Sequence, residues 1–167
     1  MPTDWTVRTE TAADRAAVRA VHLAAFETAA EADLVDALRA DADWIPELSL
    51  VVEAPDGALV GHVLLTRCRI GGQPALCLAP VAVLPAHQGA GAGSAGIRAA
   101  LAAARERGER AVTVLGHPGY YPRFGFVRAS AHGIRPPMEV PDEAMMALAL
   151  AGELPAGTIG YARPFGL

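Results

Sequence analysis

The sequence predicts an α/β (α+β) protein: a mixed, mostly antiparallel sheet with one parallel βαβ crossover, flanked by helices. Three observations carry this reading. Residues 48–53, 59–66 and 75–84 are strand-like runs separated by Pro55-Asp56-Gly57 and by Gly71-Gly72, which supply the positive φ of tight hairpin turns. A glycine-rich turn over 89–93 leads into a helical stretch ending near Arg107, and a buried strand follows over 111–116. Strand, helix and strand in that order normally form a right-handed parallel crossover, so the runs ending at Leu84 and Gly116 should lie parallel in one sheet.

The remaining elements are read in order. Residues 5–9 form a short strand; Thr11 then caps a helix with Asp14 at its third position, and Val18, Val21 and Ala25 fall on one face. A second helix over 31–40 carries Leu34, Val35 and Leu38 as its apolar stripe. Pro80 interrupts the fourth strand-like run; a proline cannot donate a ladder hydrogen bond, so an edge or a bulge is expected there. In the long helix Ile97, Leu101 and Ala104 point inward and Gly108 is the stop. A helical turn over 120–124 and a strand over 126–129 follow, then closing strands over 144–151 and 158–162, the first of which is equally helical on propensity.

The 167 residues suit one domain spanning 1–167, able to bury roughly 70% of its unfolded surface. With 52% hydrophobic and 19% charged residues, the chain is far from the composition of disordered proteins. A net charge of -4 leaves no electrostatic footprint for nucleic acid. Residues 1–10 lack the basic start and apolar run of a signal peptide, and no stretch reaches about 18 apolar residues, so a cytoplasmic protein without a membrane span is expected. Cys68 and Cys77 flank the Gly71-Gly72 turn rather than forming a CxxC pair; two buried thiols are expected, although their spacing leaves a disulfide open. The histidines at 22, 62, 87, 117 and 132 show no ligand spacing, so no metal is expected.

The glycine turn admits three readings. Gly91-Ala92-Gly93-Ser94-Ala95-Gly96 matches the dinucleotide pattern GxGxxG, but Pro85-Ala86-His87-Gln88 separates it from the strand, and the next strand ends Leu115-Gly116-His117 without the acid that holds a ribose. A plain connection is the second reading. It explains the turn poorly, because glycines inside a helix cost roughly 1 kcal/mol each, and unhindered amides at a helix N-terminus form an anion site. The third counts from Gln88: the run to Gly93 fits Gln/Arg-x-x-Gly-x-Gly/Ala.

At this point the sequence resembles the GNAT superfamily of acetyl-CoA-dependent acyltransferases, whose pyrophosphate loop has that form. Val81-Ala82-Val83-Leu84-Pro85 resembles the strand leading into it, and Tyr121-Pro122-Arg123-Phe124-Gly125-Phe126 resembles the family's Tyr-x-x-x-Gly-Phe; Tyr120-Tyr121 with Arg-Phe-Gly-Phe is typical of a small bacterial branch. The resemblance implies a GNAT-like fold in which the fourth strand splays from the fifth. It further implies that Val81, Ala82 and Val83 contact pantetheine, and that Gln88, Gly89, Ala90, Gly91, Ala92, Gly93 and Ser94 hold the pyrophosphate. Two departures stand out: Val114-Leu115-Gly116 lacks the asparagine often found at the end of the fifth strand, and Gly89-Ala90 replaces the usual basic pair, so phosphate binding should rest on main-chain donors.

Acetyl transfer to an amine needs a neutral nucleophile, a polarised thioester carbonyl and a proton for the departing thiolate. The resemblance assigns the last role to the phenol of Tyr121, which is protonated at pH 7 when unperturbed. No carboxylate lies in 75–84, so the base stays open among Glu31, His62, His117 and a water. The expected acceptor is a small-molecule or peptide amine, and a homodimer is left open. Two other classes remain: a module that binds an acyl-CoA without turnover, and a nucleotide-binding oxidoreductase.

Overall fold

A computed structural model describes residues 4–167. Strand β1 (Thr6–Thr9) is followed by a 3-10 turn that runs into helix α1 (Arg15–Ala25), and α2 (Ala30–Arg39) comes next. Asp14 does close a capping box with Thr11, but on the 3-10 turn, and a bidentate pair with Arg8 holds its carboxyl well below the usual carboxylate range. The meander comprises β2 (Ser49–Glu53), β3 (Leu59–Ile70) and β4 (Gln73–Val83). Both long strands extend further towards their turn than the sequence suggested, because Cys68 and Ile70 alternate inward with Arg67 and Arg69 outward, and Ile70 pairs directly with Gln73 across Gly71-Gly72. Both glycines have positive φ, the requirement of a two-residue hairpin. Both cysteines are free and buried.

Helix α3 (Ala92–Glu106) leads to β5 (Ala111–Leu115), and β6 (Val127–Arg128), β7 (Ile134–Arg135), β8 (Met145–Ala149) and β9 (Gly157–Gly160) complete the chain. The sheet order is β1-β2-β3-β4-β5-β8-β6, with β9 pairing the far end of β3 and the unforeseen β7. β4 and β5 are the expected parallel pair, every other ladder on the main path being antiparallel. Residues 145–149 choose strand over helix because they enter the gap between β5 and β6 and satisfy both.

Strand alternation divides the core into two faces. Leu50, Val63, Leu65, Val112 and Met146 pack against Ile97, Leu101 and Ala104 of α3, whereas Val51 and Leu64 pack against Val18 of α1 and Val35 and Leu38 of α2. Gly96 brings α3 close to the sheet: a Cβ there would stand 2.6 Å from Val63 Cγ2.

Candidate active site

The site begins where the parallel ladder fails. β4 and β5 pair at Leu76 with Val112 and at Cys77 with Thr113, and no further. One extra β4 residue is accommodated between Leu78 and Val81, at the Ala79-Pro80 step, where Leu65 and Val63 of β3 are only two apart. The bulge expected from Pro80 is therefore present, and β4 leaves β5 beyond it. The Leu84 amide bonds the Val60 carbonyl at 2.8 Å, so the Val83 carbonyl, on the other side of the same peptide, faces away from β3 into the opening. By alternation the main-chain groups of Val81 face the opening too, while Ala82 stands opposite His62 on β3.

A cavity of about 290 Å³ continues this opening, lined by Val83, His87, Gln88, Gly89, Gly91, Ala92, Gly93, Ser94, Tyr120 and Arg123. Gly91 is the N-cap of α3 in the left-handed region, φ 94°, a conformation a side-chain-bearing residue adopts only with strain. Gly89 is also left-handed, whereas Gly93, inside the first turn, is not; its value there is space, with Val83 Cγ2 and the Tyr120 hydroxyl at 3.5 and 3.9 Å from a Cβ position. The amides of Ala92, Gly93 and Ser94 have no carbonyl one turn back to bond, so they are donors for a ligand. Gln88 Nε2 donates to the Val83 carbonyl at 3.0 Å, and Trp5 Nε1 donates to the Ala90 carbonyl at 3.1 Å, tethering the loop from outside.

Of the sequence-predicted cofactor residues, Val83, Gln88, Gly89, Gly91, Ala92, Gly93 and Ser94 line one cavity. Val81 is half-buried against the α3-side core, and Ala90 is exposed with its carbonyl taken by Trp5. The two tyrosines separate. Tyr120 lines the cavity, its hydroxyl 2.7 Å from Ser94 Oγ. Tyr121 packs its ring on Gly116 at the end of β5, where a Cβ would collide with it, and edge-on to Phe126. Burial, and next the neighbouring Tyr120, pushes the Tyr121 phenol up to about 12, so it stays protonated.

Sequence reasoning missed Arg123, whose guanidinium lies 4.4 Å over the Tyr120 ring and donates through Nε to the Tyr120 carbonyl at 2.8 Å. Among the cavity residues it is the one permanent charge, and no carboxylate accompanies it. Its signal lies inside the Tyr121–Phe126 motif, as the basic residue between the tyrosine and the glycine. The three candidate bases fall in different settings. His117 is exposed, Glu31 opens α2 with a buried Oε2 that has no partner among the described residues, and His62 is fully buried with both ring nitrogens engaged.

A split parallel pair beside a glycine-capped helix is the arrangement that the resemblance to acetyl-CoA-dependent acyltransferases implies. Residues 15–126 match the family described as Acetyltransferase (GNAT) family, and the chain belongs to it. It is 41% identical over 135 residues to the uncharacterized N-acetyltransferase YjhQ of Escherichia coli K12, covering 78% of this chain and 74% of that one. A crystal structure of a GNAT acetyltransferase from Brucella melitensis in complex with acetyl-CoA superposes with a TM-score of 0.79 at 35% identity, over 97% of this chain and 98% of that one. The E. coli GNAT N-acetyltransferase YhbS in complex with CoA gives a TM-score of 0.90 at 28% identity, over 99% and 93%. Among the described residues no helix is long and apolar enough to cross a membrane, and no cluster of metal-binding side chains occurs.

Proposed function

We propose that this protein, acting as one cytoplasmic domain over residues 1–167, transfers the acetyl group of acetyl-CoA to the amine of a small-molecule or peptide acceptor by direct attack. The observation that carries the reading is the parting of β4 from β5 directly beside the helix amides, which makes one continuous slot for a phosphate-tailed thioester. The pyrophosphate lies on the Ala92, Gly93 and Ser94 amides, with Arg123 supplying the charge that Gly89-Ala90 do not. The pantetheine arm follows β4 over 81–83, along the main-chain groups of Val81 and Val83 that face the opening on either side of Ala82, and an amide of that edge polarises the thioester carbonyl. Tyr121, whose ring packs on Gly116 just past β5, takes the role the motif resemblance implies: its protonated phenol gives the departing thiolate its proton.

Two measurements test this. Acetyl-CoA should raise the Tm and NADH should not, because a ligand selective for the native state stabilises it by RT ln(1 + [L]/Kd). Thiol release with a panel of amines then separates an enzyme from a module that only binds. Equal shifts from both cofactors, or binding without thiol release from any amine, would overturn the assignment.

A further inference from the structure

A second cavity, of about 460 Å³, lies on the sheet face opposite α3, and Met145 of β8 is part of its wall. Met145 is the antiparallel partner of Leu115, the last residue of β5. The β4–β5 ladder ends at Cys77 and Thr113, so Leu115 stands two residues past the last rung, on the open edge of the split. Directly opposed residues of an antiparallel pair share a face. Val114 and Met146 belong to the α3-side core, so Leu115 and Met145 both point the other way, and Leu115, with no β4 neighbour, is 46% exposed. Met145 is therefore one strand spacing, about 4.8 Å, from the split. Ala79, at the bulge itself, packs on the same cluster as Met145 and Val140. The two cavities flank the split from opposite faces of the sheet.

The lining of this second cavity is of two kinds. Its floor is apolar: Ile134 and Met145 are buried, Met138 and Val140 are half-buried, and the Tyr161 hydroxyl donates to Met145 Sδ at 3.8 Å, which fixes the thioether. Three charged residues complete it. Asp142 is already committed, since Ser130 Oγ donates to its Oδ2 at 2.9 Å and Arg128 Nη1 donates to the same atom at 3.3 Å. Arg135 and Glu139 are exposed, have no side-chain partner among the described residues and do not pair with each other. Arg135 closes β7 immediately before Pro136-Pro137. The residue before a proline is held extended and each proline fixes its own φ, so the guanidinium is carried on stiff backbone. Its planar fork matches a carboxylate, and little of that geometry has to be ordered on binding.

We infer that this cavity receives the acceptor, and that the acceptor is a carboxylate-bearing apolar amine of the size of an α-amino acid or a dipeptide. This rests on the acetyl-transfer reading above. The carboxylate takes the Arg135 fork, the apolar side chain lies on Met138, Val140 and Met145, and the amine points past Leu115 into the split. Glu139 puts a negative charge on the same rim, which favours entry of the amine as ammonium. The volume falls within the range of about 300 to 1,000 Å³ that encloses small ligands. A lysine side chain on a folded protein, by contrast, brings no carboxylate to Arg135. Transfer breaks the thioester C-S bond and forms the amide C-N bond; of the two protons the ammonium loses, one goes to the thiolate and one to solvent.

The test compares L-leucyl-L-leucine with its C-terminal amide, which lacks the carboxylate. In thiol-release assays the wild type should use the free acid about tenfold or more better in kcat/KM, the usual worth of a charged bidentate contact. Arg135→Ala should cancel that preference, lowering the acid far more than the amide with KM for acetyl-CoA unchanged, and Arg135→Lys should restore part of it. Equal use of acid and amide by the wild type overturns the inference, as does an Arg135→Ala variant that loses both alike, because that loss is structural. A binding readout runs independently of turnover. N-acetyl-L-leucyl-L-leucine, added to 15N-labelled protein saturated with CoA, should shift the backbone resonances of 134–145 in the wild type and not in Arg135→Ala. Shifts elsewhere only, or none, overturn the site. Failure of the underlying reading looks different: the acetylated dipeptide binds at 134–145, yet no amine, with or without a carboxylate, releases thiol.

Discussion

The two faces of the sheet present their chemistry by opposite means. On the α3 face the cavity is walled largely by main chain: helix amides, a strand edge freed by a bulge, and glycines that keep side chains out of the way. On the α1–α2 face the polar groups are side chains, each holding the next from Glu10 through Ser49 and His62 to His22, with the terminal one sealed from solvent. A main-chain site tolerates many side chains but few backbone conformations. A side-chain string tolerates backbone adjustment but no missing link, since any deletion strands a buried polar atom.

The largest effect should come from the one side chain assigned to bond breaking on the cofactor face. Tyr121→Phe keeps the ring packed on Gly116 and Phe126 and removes only the hydroxyl, so the rate of thiol release should fall by about 10² or more while acetyl-CoA affinity stays put. A loss of affinity instead would move Tyr121 to the binding surface, and unchanged turnover would give its role to water. Next in size is Gly91→Val. The left-handed φ and the branched Cβ both oppose it, and acetyl-CoA affinity by calorimetry should weaken by about tenfold or more, with the α1–α2 face untouched. Retained affinity in a folded variant would show that the cavity does not depend on backbone conformation.

Acid should act on the opposite face. Burial is the largest influence lowering both histidines, His22 to about 4, with Arg39 next, and His62 to about 3, with His22 next. Above pH 6.5 both are neutral whether the chain is folded or not. Below it the unfolded chain takes up protons that the folded one refuses, so stability present above about pH 6.5 is lost as pH falls towards 4 and 3, by about 1.4 kcal/mol per unit for each histidine. The Tm measured from pH 7.5 to 5 should fall in the wild type and fall less in His62→Gln; a flat wild-type profile would remove the contrast between the faces. The smallest effect is expected for Arg123→Ala, since the guanidinium is exposed and screened. Acetyl-CoA affinity should drop a few-fold, and less at high salt. An unchanged Kd would leave the phosphate to the amides alone.

How much of this was legible in the chain depends on which face is considered. The crossover, the meander with its turns and the glycine loop could be read directly, because each is a local rule: period two in the strands, positive φ at Gly71 and Gly72, and free amides after Gly91. Seven of the ten expected cofactor residues accordingly line one cavity. Even there Arg123 is not legible, because nothing local says which way a guanidinium in a turn will point.

The sequence by itself determined where backbone must be bare, since only residues without a side chain satisfy a left-handed cap or a close helix approach, as at Gly91 and Gly96. Tertiary structure alone decided which side chains meet. Tyr120 and not Tyr121 faces the cavity, because the turn after His117 rotates one ring towards Ser94 and lays the other on Gly116. His22 and His62 are 40 residues apart, and Ser49 and Glu10 39 apart; each reads alone as an ordinary polar residue in an apolar stretch. A hydrogen bond between distant side chains leaves no periodicity in the chain, and it exists only once two elements have packed.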